Sequence, residues 1–250
     1  MHDAMAAPVI ERFPQERLFF GAATENASRL LEGECDAAFI TAIDFAKNCS
    51  ELSLYRPAVL SKGASRAILL LTKPNSRTIR TVAFGAVNSG DVVLTKIILS
   101  EKYELDVAFQ PSGRTINDSL RTADAVLLSG NDALHVERGG SEINLVDEWN
   151  DMTELPFVHF LCAGQRKLYS KKISAMLHSI AETAAENLDP AVVHVAAAEK
   201  VDAEEARNYL SGFTYVLDDE ALAGVNEFFR YAFYLGILPD IPDITKFSAE

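Results

Sequence analysis

The stretch LEGECDAAFITAIDFA, residues 31–46, decides the fold of this chain. Its apolar segment AAFI is typical of a short strand, and the small polar Thr41 leads from that strand into the helical pattern AIDFA. The stretch LLSGNDAL, residues 127–134, repeats the arrangement, because an apolar strand ends in Ser129 and Gly130 before a helix begins. This repeated pattern predicts an α/β protein with polar groups at the carboxyl ends of its strands.

Two further stretches predict how the chain is divided. VDEWNDMTELPFVHF, residues 146–160, looks like a crossing between two lobes, and the pattern over residues 213–237 predicts a closing helix. Turn-forming residues at 73–76 predict the first crossing. We therefore expect two α/β lobes around a central ligand cleft. Residues 1–75 and 157–250 would form the first lobe, and residues 76–156 an inserted second lobe.

Periodicity supports this architecture along most of the chain. Short apolar runs predict strands at residues 17–20, 36–40, 66–72, 80–84, 106–109, 125–128 and 157–162. Amphipathic patterns predict helices at residues 26–32, 91–102, 116–121 and 170–187. Asp202 is the expected N-cap of another helix, and Asp218 or Asp219 of the last one, which Pro239 and Pro242 terminate.

The amino-acid composition limits the kinds of partner that the protein could bind. The net charge of −13 and the absence of a basic stripe argue against nucleic acid. No apolar run approaches the roughly 20 residues that span a bilayer, and the N-terminal residues do not read as a signal peptide. Three scattered cysteines suit a reducing compartment. We therefore expect a cytoplasmic protein without membrane or nucleic-acid partners; the sequence does not predict its oligomeric state.

The segment VNSGDVVLTK, residues 87–96, is a candidate ligand site. A helix N-terminus offers free N–H groups and a partial positive charge, so Asn88, Ser89 and Gly90 could hold a carboxylate. Asp91 could be the N-cap, and its carboxylate would then compete with an anionic ligand. The alternative is an ordinary capped helix.

A second candidate site follows the next strand. Gly130 allows close approach of the backbone to a ligand, and Asn131 or Asp132 could cap the following turn. Two helix N-termini facing one cleft could clamp a molecule with two carboxylates, with Thr41 facing them from the other lobe. The alternative for each is a simple strand-to-helix turn. The favoured ligand is thus a small anionic carboxylic acid.

Other polar residues leave alternatives open. Lys62 or Arg66 could add positive charge to the cleft, or both could be solvated surface cations. His159 lies in an apolar run, where a hydrogen-bonded core histidine is favoured over a catalytic one. The histidines and cysteines form no metal-ligand spacing, so we predict no metal and no cofactor.

Taken together, the motifs resemble the chorismate dehydratase family of the futalosine route to menaquinone. The corresponding segments are GECDAAFITAIDFA (residues 33–46), GNDAL (130–134), EWNDMTELPFV (148–158) and a C-terminal pattern at Tyr215, Leu217, Phe228, Phe229 and Gly236. This resemblance implies a periplasmic-binding-protein-like fold of type 2. It also implies a carbon–oxygen lyase that dehydrates chorismate to 3-(1-carboxyvinyloxy)benzoate.

On this resemblance, we expect particular residues to act in the site. The expected catalytic residues are Ser89, Asp91 and Asp132, and the expected substrate-binding residues are Thr41, Ala42, Asn88, Ser89, Gly90, Gly130 and Asn131. Several positions depart from the family pattern. Thr41 and Ala42 replace a paired serine, and Ala67 replaces a serine after a glycine turn. The family has an asparagine shortly before a proline near its N-terminus, whereas this chain has Met5 near that position, ahead of Pro8.

These departures keep two other functions open. A non-catalytic cytoplasmic protein that binds a small carboxylic acid would share the same scaffold. The sister dihydroxynaphthoate synthase activity of the same pathway rests on the shared fold alone.

Overall fold

The computed structural model of the protein describes residues 13, 15–19, 21, 23–63, 65–73, 78–136 and 141–247. The positions of Met5, Pro8 and most of the 73–76 turn lie outside these residues. The strands are β1 (Ala38–Ile40), β2 (Leu52–Ser61), β3 (Ile68–Thr72), β4 (Thr81–Phe84), β5 (Ala108–Pro111), β6 (Ala125–Ser129), β7 (Glu142–Asn144), β8 (Phe157–Gln165) and β9 (Thr214–Val216). The α-helices are α1 (Ala23–Leu31), α2 (Ala42–Lys47), α3 (Ser89–Glu101), α4 (Ile116–Thr122), α5 (Asn131–Leu134), α6 (Leu145–Thr153), α7 (Lys171–Glu186), α8 (Asp189–Glu199), α9 (Ala203–Leu210) and α10 (Asp219–Tyr234).

Two sheets organise these elements. The first sheet has the order β1-β8-β2-β9, and neighbouring strands run antiparallel. The second sheet has the order β5-β4-β6-β3-β7, in which β4, β5 and β6 are parallel and β3 and β7 complete an antiparallel side. Because β4 and β6 are parallel neighbours, the polar residues after both strands lie at one edge of the second sheet.

The aromatic core ties the helices to the first sheet. Trp149 on α6 is fully buried, and its ring meets those of Phe157, Phe228 and Tyr231 edge-on at centroid distances of 6.0 to 6.1 Å. Its indole N–H donates to the carbonyl oxygen of Pro156 at 3.3 Å. Trp149 therefore fixes the point where α6, β8 and α10 meet.

Most of the predicted elements are present. Strands β1, β3, β4, β5, β6 and β8 and helices α1, α3, α4 and α7 lie where the sequence predicts them, and Asp202 and Asp218 are the N-caps of α9 and α10. The strand predicted at residues 17–20 is wrong over residues 17–19, which form no strand. The Phe19 ring instead contacts the guanidinium groups of Arg17 and Arg29, at 5.4 and 5.6 Å from its centroid.

The division into lobes stays a prediction. Strand β3 belongs to the second sheet, although the predicted boundary after residue 75 would assign it to the first lobe. Sheet membership favours placing the first crossing between Ser61 and Ile68 and the return crossing between Thr153 and Phe157.

Candidate functional site

Thr41 begins the site on the first sheet. It follows β1 and is the N-cap of α2, where its Oγ1 accepts the Asp44 backbone N–H at 3.2 Å. A side-chain oxygen that accepts a free N–H of the first turn is the usual way to begin a helix. Thr41 and Ala42 are both buried.

The first turn of α3 supplies the second part of the site. Asn88 is the N-cap, so the prediction that Asp91 caps this helix is wrong. Asp91 lies at the third helical position, and its carboxylate accepts the Asn88 backbone N–H at 3.2 Å. Gly90 packs against Thr41, because a Cβ at this position would lie 3.4 Å from the Cβ of Thr41, at ordinary van der Waals distance.

Hydroxyl groups from the start of α2 and the start of α3 lie in contact here. Ser89 Oγ lies 2.9 Å from Thr41 Oγ1. The carboxylate of Asp44 accepts from Thr41 at 2.8 Å and from Ser89 at 3.1 Å. We call Thr41, Asp44 and Ser89 the hydroxyl cluster. The sequence predicts Thr41 and Ser89 as site residues but misses Asp44, whose only sequence signal is its place three residues after an N-cap threonine.

Asp91 adds a buried carboxyl behind the hydroxyl cluster. It is 5% exposed. Burial raises the pKa of the Asp91 carboxyl from 3.8 to about 6, and hydrogen bonds from Ser129 and Asn88 oppose that rise. Ser129 ends β6, so Asp91 joins the residues that follow β4 to those that follow β6.

The segment after β6 has a different environment. Gly130 has φ 58° and ψ −126°, is the N-cap of α5, and donates its N–H to the carbonyl of Ala67 at 2.9 Å. The prediction that Asn131 or Asp132 caps this turn is therefore wrong. The Asn131 amide donates to Glu199 Oε1 on α8 at 2.6 Å, and Asp132 is exposed. The hydrogen bonds of Gly130 and Asn131 thus lead to Ala67 and Glu199 rather than to the hydroxyl cluster.

The two candidate cations are engaged by carboxylates. Lys62 Nζ lies 3.2 Å from Asp218 Oδ2 and 2.5 Å from Glu220 Oε2. Arg66 forms an ion pair with Glu142 and donates to the Val136 carbonyl at 3.1 Å. Both cations are thus partly neutralised where they lie.

His159 lies in the core. It is buried, its Nε2 is 2.9 Å from the Ser61 hydroxyl, and Phe157 and Phe213 contact its ring edge-on. These contacts are those of a hydrogen-bonded core histidine, which is the favoured interpretation of the sequence.

A cavity of about 690 Å³ lies elsewhere, between residues 15–19, β1 and α7. Apolar side chains including Leu18, Phe39 and Met176 line it together with charged ones such as Arg17 and Arg29, whereas Thr41 and Ser89 do not. We place the candidate site at the hydroxyl cluster instead, because hydroxyl groups that follow strands of the two sheets converge there.

Within the part of the chain that the structure describes, no cluster of three or more His, Cys, Asp or Glu residues is arranged to hold a metal ion. No helix among these residues has the length and apolar character required to cross a membrane.

Comparisons with known proteins assign the fold. The menaquinone biosynthesis family matches residues 2–234. Protein AF1704 from Archaeoglobus fulgidus is 19% identical, with a TM-score of 0.71 over 94% of this chain and 95% of that one. The periplasmic aliphatic sulphonate binding protein SsuA from Escherichia coli is 17% identical, with a TM-score of 0.68 over 99% and 88%. The alkanesulfonate-binding protein SsuA from Xanthomonas axonopodis pv. citri bound to MOPS is 14% identical, with a TM-score of 0.72 over 99% and 94%. These likenesses confirm the predicted periplasmic-binding-protein-like α/β fold.

Proposed function

This chain belongs to the menaquinone biosynthesis family, and on that premise we propose that it is a cytoplasmic lyase that removes water from chorismate. The product would be 3-(1-carboxyvinyloxy)benzoate. The observation that carries the proposal is the contact between Thr41 and Ser89 at 2.9 Å, which joins hydroxyls from helices that follow strands of different sheets. In α/β proteins, such strand ends are where ligands gather.

The reaction requires little covalent chemistry from the protein. Loss of water converts the cyclohexadiene ring of chorismate into an aromatic ring, which drives the step. The protein has to hold the substrate and assist proton transfer. Ser89 is half-buried, whereas Thr41 is fully buried. We therefore propose that Ser89 touches the substrate and that Thr41 supports it.

The two predicted catalytic carboxyls have different places in the proposal. Asp91 is nearly inaccessible and accepts hydrogen bonds from Asn88. We propose that it holds the first turn of α3 in place rather than touching the substrate. Asp132 is exposed on α5 and stays a candidate acid or base. Gly130 and Asn131 stay candidates for binding a substrate carboxylate.

A non-catalytic binding function is the second candidate. Two similar solved structures are proteins that bind sulfonates, as their names state. The first sheet and the second sheet of this chain could likewise hold a small carboxylic acid without reacting it.

Incubation of the purified protein with chorismate, followed by mass spectrometry, tests the proposal. We expect the loss of one water above a no-protein control. The Ser89→Ala variant should form product more slowly, whereas Ser100→Ala, on the same helix and further along it, should not. Unchanged chorismate together with a rise in melting temperature on binding would favour the binding function. Unchanged chorismate without binding would exclude chorismate as the ligand.

A further inference from the structure

The number of hydroxyl protons in the hydroxyl cluster restricts which ligand groups the cluster can bind. Thr41 and Ser89 each carry one hydroxyl proton. The Asp44 carboxylate lies within hydrogen-bond distance of both hydroxyl oxygens, at 2.8 and 3.1 Å, and the two oxygens are 2.9 Å apart. Charge-assisted hydrogen bonds to a carboxylate are the stronger ones, so both protons are directed into the cluster.

We infer that Asp44 is a positioning residue of this site, which turns Ser89 into a hydrogen-bond acceptor for a free hydroxyl group of the ligand. Thr41 Oγ1 already accepts the Asp44 backbone N–H at 3.2 Å and is buried, so the accessible lone pairs belong to Ser89. The identity of the reaction in this inference rests on the proposed function. The direction of these hydrogen bonds does not, because it follows from the distances to the Asp44 carboxylate.

The same geometry argues against the alternative that the Ser89 hydroxyl holds a carboxylate. Ser89 has no proton to donate while it bonds Asp44, and the negative charge of Asp44 repels a second anion at short range. The Asp91 carboxylate accepts the Asn88 backbone N–H at the start of the same helix, at 3.2 Å. The ligand class that fits is a cyclic carboxylic acid with a free hydroxyl, the hydroxyl facing Ser89 and the carboxylates lying elsewhere.

This arrangement would make the site bind the substrate more tightly than the product. Chorismate carries one ring hydroxyl, and that group leaves as water, so the dehydrated product lacks it. A site that pairs with a hydroxyl discriminates strongly against an analogue without one, because its polar group is then left unpaired. Asp44 would therefore favour binding of the substrate and release of the product.

The chain contains a matched control for Asp44. Thr115 and Asp118 form the same local arrangement at the start of α4, where the threonine hydroxyl donates to the carboxylate at 2.9 Å and accepts the backbone N–H at 3.1 Å. The other partner of the Asp118 carboxylate is Arg121, at 3.1 Å on the same helix, rather than a hydroxyl from another element. Asp118→Asn thus reproduces the loss of a capping carboxylate without altering the hydroxyl cluster.

The test compares affinities for chorismate and for 3-(1-carboxyvinyloxy)benzoate by calorimetry. If the protein turns chorismate over, the product inhibition constant divided by KM replaces the ratio of Kd values. We expect the wild-type protein and Asp118→Asn to prefer chorismate by about 10-fold or more. In Asp44→Asn the amide can donate to Ser89 and release its proton, so the preference should fall to about 3-fold or less. Ser89→Ala, which removes the acceptor itself, should show the same loss.

The outcomes separate this inference from the proposed function. A wild-type preference for chorismate that persists in Asp44→Asn and Ser89→Ala would overturn the inference even if product forms. A preference that both variants abolish would support it even if no variant turns chorismate over. If Asp44→Asn does not fold, Asp44→Ser, which also removes the carboxylate and leaves Thr41 as the N-cap of α2, takes its place in the comparison. A wild-type protein that binds both compounds equally, or neither, would also overturn it.

Discussion

Ser89 Oγ lies 2.9 Å from Thr41 Oγ1, although the two residues follow strands of different sheets. If these hydroxyls form the site, removing the accessible one should reduce activity without unfolding the protein. We expect Ser89→Ala to lower kcat/KM for chorismate by about 10-fold or more, which is the usual effect of losing one well-placed polar contact. Steady-state kinetics and a melting curve measure the two effects.

Ser100→Ala is the control for this change, because Ser100 lies on the same helix and its hydroxyl donates to the neighbouring Glu101 carboxylate at 3.3 Å. Equal activities of Ser89→Ala and the wild-type protein would place the chemistry away from the hydroxyl cluster.

Asp91 should make stability depend on pH. The folded state raises the pKa of this carboxyl from 3.8 to about 6, so the folded protein holds more protons than the unfolded chain between these values. The stability contributed by the protonated form is therefore complete below pH 3.8 and lost as the pH rises through about 6. Asp91→Asn, which stays neutral, should be more stable than the wild-type protein above that pH, by at most about 3 kcal/mol.

Urea unfolding of both proteins from about pH 4 to pH 8 measures this difference. We expect the two free energies of unfolding to converge near the acidic end. Asp118→Asn, which changes a carboxyl whose side chain is 41% exposed, is the comparison for a general charge effect. A constant difference across the range would contradict the role of burial.

Gly224 on α10 faces the carbonyl oxygen of Pro156, and a Cβ at this position would overlap that atom. Helix propensity favours alanine over glycine by about 1 kcal/mol. The carbonyl also accepts the Trp149 indole N–H at 3.3 Å, so it has little freedom to move. We therefore expect Gly224→Ala to destabilise the protein by about 2 kcal/mol in spite of its propensity.

Denaturant unfolding followed by the fluorescence of Trp149, the single tryptophan of the chain, measures this loss at the contact itself. Ala223→Gly, at the adjacent exposed position, isolates the propensity contribution and should cost about 1 kcal/mol. A Gly224→Ala protein as stable as the wild type would show that α10 can shift on β8.

Sequence patterns identify the elements that carry a continuous apolar run. The same patterns fail where tertiary contacts override the local signal. Strand β2 was missed because Arg56 and Pro57 interrupt its apolar residues, and proline argues against a central strand. The structure accommodates them with register shifts between Leu54 and Ala58 and between Pro57 and Leu60. Such irregularities depend on the partner strands and leave no periodic trace.

The candidate site shows the same limit. Thr41 and Ser89 were predictable because small polar residues follow apolar strands. Asp44 was not, because its local pattern is that of a capping residue and its contact with Ser89 joins positions 45 residues apart. The family resemblance, by contrast, is confirmed, since the menaquinone biosynthesis family matches residues 2–234.

Asn131 and Glu199 allow a test of the second predicted ligand segment. The Asn131 amide donates to Glu199 Oε1 at 2.6 Å, and Glu199 Oε2 lies 3.3 Å from His135 Nε2. If Asn131 binds a substrate carboxylate, that carboxylate has to compete with Glu199 for the amide. We therefore expect Glu199→Ala to bind chorismate more tightly, by about 2- to 10-fold, which is the net free energy of one hydrogen bond.

The opposite change is expected for Asn131→Ala, which should bind chorismate more weakly by a similar factor. Glu199→Gln separates charge from hydrogen bonding, because it keeps the oxygen that accepts from Asn131 and removes the negative charge. An affinity close to that of the wild-type protein would show that the hydrogen bond is what competes, whereas an affinity like that of Glu199→Ala would assign the effect to charge. If Asn131→Ala and Glu199→Ala both bind chorismate as the wild-type protein does, the amide serves only to join α5 to α8, and the substrate carboxylates lie elsewhere.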